Sequence, residues 1–585
     1  MVILELRATK DTKPCVLLLS VIRCTRVVFF DGDPVIGTDM MNLISDPWLP
    51  ARLKSGNARK ISLADLADSD LVDINAPRPD FRGGIYQLLI GLLQLSMAPE
   101  DEDEWKDLYQ DPPSRDDLAK AFSPYQNAFE LEADGPAFMQ DLLLLKAAGL
   151  EPNQNSVRDL LIDAGSDSNL YFNKHKEDFA LCESCFAQAL FTLQINAPSG
   201  GRGVRTSLRG GGPITTLVVP VDENSEKPST LWQKLWLNVL PKEALNDSYS
   251  DIKKVGDVLP WMAATRTSDG SDGVETTPES VHPFQAYWSM PRRIRIDTST
   301  IDDHGNCSIC AAKGVRTIRH YLTRHGGTNY TGNWLHPLTP YSLDPKGEKP
   351  PISIKGRQAG KGYREWLGLV LGNDDHQPDA AKVVRYFTEQ RSRKERRKGC
   401  RLWCFGYDMS NMKAMCWYDS TLPIHEVDIS RRATFIGRVK DVLDSAEGMA
   451  YALHKQVKSA WFNRPGDVGS EPAVFDSFWE TTEPLFYNAL NGLSDLYGTK
   501  DEADEAGKLT AVYKAWLNET RRAVLRLFDH WVLSAPIEEQ NMKRVVEARA
   551  DLGKELNLGK QLKPLWDIVD PNRGKKTKAK GKSKS

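Results

Sequence analysis

At 585 residues the chain exceeds what a single hydrophobic core organises, and length alone predicts about two to four domains. Hydrophobic residues make up 41% and charged residues 26%, the balance of an ordinary soluble globular protein. The net charge of −3 excludes a protein that coats a polyanion with its whole surface. Any nucleic-acid contact therefore has to come from local patches. No apolar run is long enough to cross a bilayer, since the longest, Ile85 to Ala98, is interrupted by Gln87 and Gln94.

Residues 1–40 read as an N-terminal extension, with Met41 as an alternative start. The apolar run Val16 to Ile22 lacks the basic cluster and small-residue cleavage site of a secretory signal. Nine cysteines is an odd number, and four of them fall in two C-x-x-C pairs. That favours a reducing compartment and metal binding, with a cytoplasmic location expected. From Met41 to Ala67, alternating apolar residues around Pro47 and Pro50 predict a strand pair, and Asp80 to Met97 predicts a buried helix. A second apolar helix is expected over Phe186 to Ile195, then a basic glycine loop from Ser199 to Gly212. The Trp-rich stretch Leu231 to Leu240 reads as a helix and Thr265 to Thr277 as a mobile surface loop. Gln285 to Asp297 reads as a strand with a basic flank.

Lys382 to Arg401 begins as an amphipathic helix and ends in a basic block. Leu402 to Tyr418 then alternates as two strands around a loop from Asp408 to Lys413. Beyond Ile424 the periodicity is helical: Val439, Ala446, Ala450, Leu453 and Val457, later Leu509, Val512, Trp516, Val524 and Trp531. Pro484 predicts a break in the helix between these two, and Pro536 falls in the first turn of a last helix. The fold class expected is α+β. A large N-terminal α+β domain over 41–424 precedes a four-helix bundle over 425–570 and a disordered basic tail over 571–585.

The strongest chemical signal is Cys182-x-x-Cys185 with Cys307-x-x-Cys310. Four thiolates in two knuckles match a structural, tetrahedral Zn2+ site closed to water. The alternative is two unrelated pairs of buried thiols, and His304 reads either as a substitute ligand or as a surface histidine. A zinc deaminase would need H-x-E and P-C-x-x-C, and a P-loop ATPase G-x-x-x-x-G-K-[ST]. Neither C-x-x-C pair follows a proline and no G-x-x-x-x-G-K-[ST] occurs, so no enzyme is expected.

The Ser199 to Gly212 loop alternates glycine with arginine. Glycine lets a backbone approach a groove or phosphate that any Cβ would keep away, and arginine adds charge and a planar donor fork. A flexible hairpin with solvated arginines explains the same residues equally well. The block from Arg391 to Arg401 is likewise either a phosphate-tracking stretch or a solvated helix end.

Taken together, MNLISDPWLP from Met41, PAFMQD, ALCESC, SLRGGGPITT, the second C-x-x-C, Trp334, His336, Pro337 and GYDMSN from Gly406 to Asn411 resemble one family. It is the CasA-type large subunit of the type I-E CRISPR Cascade surveillance complex, and the resemblance runs from Met41 to about Leu556. It implies a non-catalytic antiviral subunit working beside the guide RNA and the backbone and small subunits of the complex. Such a subunit reads the protospacer-adjacent motif of double-stranded DNA from the minor groove, opens the duplex for guide pairing, and recruits a helicase-nuclease. By the same resemblance the motif-reading loop falls on Ser199, Gly200, Gly201 and Arg202, and the wedge on Ser410, Asn411 and Met412. A lysine finger falls at Arg324 and His325, where this chain has no lysine. Tyr171, Phe172 and Asn173 correspond to the contact with the guide RNA and the adjoining backbone subunit. The competing expectation is a zinc-stapled scaffold that bridges protein partners without reading DNA.

Overall fold

The computed structural model describes residues 41–146, 151–164, 178–201, 203–222, 228–245, 252–271, 273–356, 362–372, 379–391, 399–410, 412–425, 427–498, 504–534 and 540–571. Helix and strand are mixed up to Pro423, and helices alone follow. The chain opens with an antiparallel sheet of β1 (Leu49–Leu53), β2 (Ala58–Ile61) and β3 (Leu71–Ile74), with β1 central. Helix α1 (Pro79–Met97) has Pro at its first position, where a missing N–H costs nothing, and is buried along nearly its whole length. Helices α2 (Glu102–Gln110) and α3 (Arg115–Phe122) start on Asp101 and Ser114, whose side chains accept from the orphan amides of the first turn.

After β4 (Asn153–Ser156) and the two-residue β5 (Leu181–Cys182) comes α4 (Glu183–Asn196), one turn longer at its N-terminus than the apolar run predicts. Thirteen of its residues are buried, and α4 packs against α1. Gly84 makes this crossing close, because a Cβ there would lie 2.6 Å from Thr192 Oγ1. Strand β6 (Thr215–Pro220) and helix α5 (Leu231–Trp236) follow, the latter with a Thr230–Gln233 capping box and Trp232 stacked on Trp236. Beyond α6 (Val255–Val258) and β7 (Glu275–Thr276), residues Pro283–Trp288 form a 3-10 helix, and only Arg293–Ile296 (β8) is strand. The expected strand therefore begins late. Phe284, Tyr287 and Trp288 are all buried, and the three-residue turn of the 3-10 helix sets Phe284 and Tyr287 on one face.

Strands β9 (Asp302–Asn306), β10 (Lys313–Ile318) and β11 (His320–Arg324) come next. They form two small sheets, ordered β5-β10-β9 and β4-β11-β8. Short strands β12 (Asn329–Tyr330), β13 (Tyr341–Ser342) and β14 (Ile352–Ser353) and helices α7 (Trp366–Val370) and α8 (Lys382–Tyr386) lead to a long hairpin. This pairs β15 (Cys400–Ser410) with β16 (Lys413–Pro423), and β6 lines the other edge of β15.

The C-terminal helices are α9 (Arg432–Trp461), α10 (Pro472–Tyr497), α11 (Glu505–Leu533), α12 (Met542–Leu558) and α13 (Lys563–Val569). Helix α9 packs on α10, α11 and α12, and α10 packs on α11. Pro484 does not break α10, contrary to expectation. Buried Phe478, Thr482, Phe486 and Leu490 bracket it on one face, and their packing outweighs the one backbone bond that proline forfeits. Met542 opens α12 later than Ser534 suggested, and Pro536 lies outside the described residues. Residues 1–40, with Cys15 and Cys24, and the tail from 572 also lie outside them. Cys400 and Cys404 are core residues as expected, while Cys416 is half-buried. No helix among the described residues is long and apolar enough to cross a membrane.

Candidate nucleic-acid interface and cysteine cluster

Cys182 ends β5 and caps α4, and Cys185 lies in the first turn of that helix. Cys307 and Cys310 sit on the turn between β9 and β10. That turn is closed by Cys307 N–H donating to Ala312 O at 2.8 Å and by a left-handed Ala311, φ 61°. Pairing of Thr317 with Cys182 brings the two knuckles together, and Ser308 N–H donates to Ala180 O at 2.8 Å across them. All four Sγ atoms lie within 4.8 Å of one another, with Cys182 and Cys310 at 3.7 Å. A zinc ion with Zn–S bonds of about 2.3 Å holds tetrahedral sulfurs about 3.8 Å apart, so the donor set fits a closed structural site.

The thiols are strongly coupled. Hydrogen bonds from Cys182 and Cys185 pull Cys310 down to about 7, while hydrogen bonding with Cys182, Cys307 and Cys310, together with burial, drives Cys185 well above its ordinary value. The four sulfurs could together hold a metal ion. His304 is exposed and stands outside the cluster. Two distant segments are thereby joined at one point, as the sequence spacing implied.

From that point two arms run outward. One is α4, about 21 Å long at 1.5 Å per residue, which delivers Pro198 to Gly203 at its far end. The other is β10 followed by β11, which delivers Arg324 and His325. The arms meet again: Gly326 N–H donates to Gly203 O at 2.8 Å, and a Cβ on Gly203 would lie 3.0 Å from that of His325. The cysteine cluster therefore stands at the opposite end of α4 from the glycine loop.

The loop itself turns on left-handed glycines, Gly201 (φ 91°) and Gly203 (φ 77°), and Val204 N–H donates to Gly201 O at 3.2 Å. Gly200, Gly201 and His325 are exposed, and Ser199 and Arg324 are half-buried. The far end of the loop leans on the hairpin. A Cβ on Gly212 (φ 65°) would meet Met409 Cγ at 2.6 Å and Tyr407 O at 2.9 Å. The hairpin is in turn seated on α1, where Tyr407 Oη donates to Asp80 Oδ2 at 2.5 Å and the Phe405 ring fills the space that Gly83 leaves empty. Arg78 holds Asp80 in place and also pairs with Asp163.

The loop expected from Asp408 to Lys413 is tighter than its sequence suggested. Ser410 pairs with Lys413, so only two residues turn the hairpin, and Met412 takes φ 67° and is 57% exposed. Ser199, Gly200 and Gly201 are thus brought beside Arg324 and His325, and the base of the Ser410–Met412 hairpin packs against the same loop. Arg202, Asn411, Tyr171, Phe172 and Asn173 lie outside the described residues.

Two of the loop's arginines do not face a groove. Arg209 is 5% exposed and donates to Thr215 Oγ1, Thr339 Oγ1 and Ile195 O, capping the C-terminal end of α4. Arg205 donates through Nε to Ser268 Oγ at 2.7 Å. Arg391, expected in a basic block, is fully buried, lies 3.8 Å over the Trp105 ring and pairs with Glu102. Sequence reasoning missed the supports. Ser268, in the stretch expected to be a mobile loop, receives Arg205, donates through its amide to Gly326 O and through Oγ to Gly327 O. Arg292, beneath Gly200, donates to Pro198 O. The basic flank of β8 was the only sign of it.

The family model of CRISPR-associated protein Cse1 matches residues 42–527. CasA (Cse1) of Thermus thermophilus superposes with a TM-score of 0.60 at 16% identity, over 88% of this chain and 99% of that one. Cse1 of Thermobifida fusca gives 0.58 at 17% identity, over 88% and 98%. A chain of a CRISPR RNA-guided surveillance complex gives 0.63 at 15% identity, over 88% and 99%. At these identities the structures attest the fold, and the family model, spanning most of the sequence, attests the family. The chain belongs to the CRISPR-associated protein Cse1 family, that of the CasA-type large subunits of type I-E Cascade.

Proposed function

We propose that this chain is the non-catalytic large subunit of a cytoplasmic CRISPR RNA-guided surveillance complex in antiviral defence. It reads the protospacer-adjacent motif of double-stranded DNA from the minor groove, opens the duplex for guide RNA pairing, and recruits a helicase-nuclease. The observation that carries this is the convergence of three separated segments, the glycine loop, the Arg324–His325 turn and the β15–β16 hairpin, around one exposed patch. Glycines bring backbone amides into a narrow groove whose code is degenerate, so loose motif preference is expected and guide pairing carries the sequence specificity.

In this reading Ser199, Gly200, Gly201 and Arg202 face the motif, and Arg324 or His325 takes the place of a lysine. Ser410, Asn411 and Met412 wedge the base pairs apart, and Tyr171, Phe172 and Asn173 meet the guide RNA and the neighbouring backbone subunit. A structural Zn2+ on Cys182, Cys185, Cys307 and Cys310 fixes the root of both arms. Residues 41–424 form the DNA-recognition domain, and 425–570 form a four-helix bundle. Co-purification with guide RNA and the other subunits, followed by binding to a library of randomised adjacent motifs, tests this. Enrichment of a short motif is expected. Equal binding of scrambled duplex would leave a scaffold that bridges partners.

A further inference from the structure

Arginines shielded from solvent are, as a rule, ion-paired in this molecule. Arg78, Arg82, Arg293, Arg316, Arg391 and Arg431 each have a carboxylate within 4.0 Å. Arg209, Arg292 and Arg295 make no such pair among the described residues, yet their situations differ. Arg295 donates to Ala133 O and Gly135 O and feels the charges of Asp141, Asp134 and Glu132. Arg209 has four neutral acceptors and lies on the negative end of α4. Arg292 has far less. Its guanidinium, a fork of five donors, reaches one acceptor, Pro198 O, and its Nε is buried with no partner. The nearest ionisable group acting on it is Tyr321, and burial pulls its pKa down to about 10, which still leaves it charged at neutral pH.

An arginine held this way costs stability unless a counter-charge arrives from outside. The exposed Gly200 lies beside Arg292: a Cβ there would stand 3.2 Å from Arg292 Nη1, with Val204 Cγ1 and Cβ nearer still at 2.4 and 2.9 Å. Above it, the amides of Ser199, Gly201 and Gly203 donate to no acceptor among the described residues. We propose that Arg292 is a phosphate-binding residue of the DNA interface, meeting the duplex backbone beside Gly200 while the amides of Ser199, Gly201 and Gly203 complete the anion site. This rests on the reading of that patch as a DNA interface. A phosphate contact carries no sequence information, so Arg292 sets the register and strength of binding for every motif alike.

The test uses the reconstituted complex with guide RNA and a target duplex, titrated over a range of salt. In Arg292→Gln the slope of log affinity against log salt should fall by about 0.9, the value of one phosphate contact, with affinity lost in equal proportion for good and poor motifs. The thermal midpoint of the free subunit should hold or rise, because an uncompensated buried charge has gone. An unchanged slope with a lowered midpoint overturns the proposal and makes Arg292 a prop for Pro198. Should Arg292→Gln not assemble, Arg292→Met removes the same charge and should flatten the slope in the same way, and an unaltered slope there is equally fatal. A wild-type complex that binds scrambled duplex as well as motif-bearing duplex sinks the functional reading itself, whereas loss of the Arg292 effect alone leaves that reading intact.

Discussion

The two ends of α4 are built on opposite terms. At the cysteine end the chain closes on itself. Four thiols converge, the knuckle amides find carbonyls, and Arg316 ties Glu183 of α4 to Glu132. At the glycine end donors are left over among the described residues: an exposed turn, amides without acceptors, and an arginine without a carboxylate. A surface finished internally serves the fold, whereas a surface left short of acceptors is finished by something else. That difference is what the proposed DNA interface rests on.

That contrast can be broken most forcefully at the cysteine end. Cys307→Ser, or exhaustive chelation, should remove the metal and cost on the order of 5–10 kcal/mol, read as a collapsed melting temperature alongside a metal assay. A full melt retained with no metal bound would mean that the thiols pack without a cation. Next comes Gly327→Ala, where a Cβ would stand 1.8 Å from Pro291 O, a clash with backbone that cannot swing aside. It should cost about 3 kcal/mol in urea unfolding while leaving metal content unchanged, which separates the two ends of the arms.

Asn411→Ala in the assembled complex should weaken R-loop formation about tenfold, from the loss of roughly one inserted hydrogen-bonding group. Permanganate footprinting of the opened strand reads this, and undiminished opening removes Asn411 from the wedge. Arg202→Ala should lower duplex affinity several-fold and flatten the salt dependence by about 0.9. A slope left as it was would mean no phosphate contact. The smallest effect is that of acid. Burial holds His336 well below the ordinary histidine value, with Arg209 reinforcing it, and holds His425 at about 4. The unfolded chain then takes up protons first, so their stabilising contribution is complete above about pH 6.5 and is lost as pH falls towards the folded values. Between pH 7 and pH 6 each should cost under about 1 kcal/mol, measured as a drop in the urea midpoint. A midpoint that rises would reverse the sign and mean that these imidazoles are charged in the fold.

Much of this architecture could be read in the chain beforehand, for reasons that are local. The apolar runs within Pro79–Met97 and Glu183–Asn196 can only be buried helices, and a doubled C-x-x-C has few uses. Alternation around Asp408 to Lys413 announced the hairpin. What escaped depends on partners distant in sequence. Arg209 and Arg205 look like groove readers in a glycine-rich stretch, but Thr339 and Ser268, far along the chain, claim them. Likewise, Ser268 and Asp269 look like loop filler until Gly326 and Gly327 are found against them. Pro484 shows the same limit, since a breaker by propensity is overruled by four buried neighbours on one helix face.

The re-joining of the two arms at Gly203 and Gly326 has a mechanical side. Two rods sharing a root and tied at their tips make a truss rather than a pair of levers. A load on either tip is shared by both, and the hydrogen bond from Gly326 to Gly203 holds the glycine turn against the His325 turn. The hairpin is tied into the same frame, since β15 pairs with β6 beyond the glycine loop and Gly212 lies against Met409.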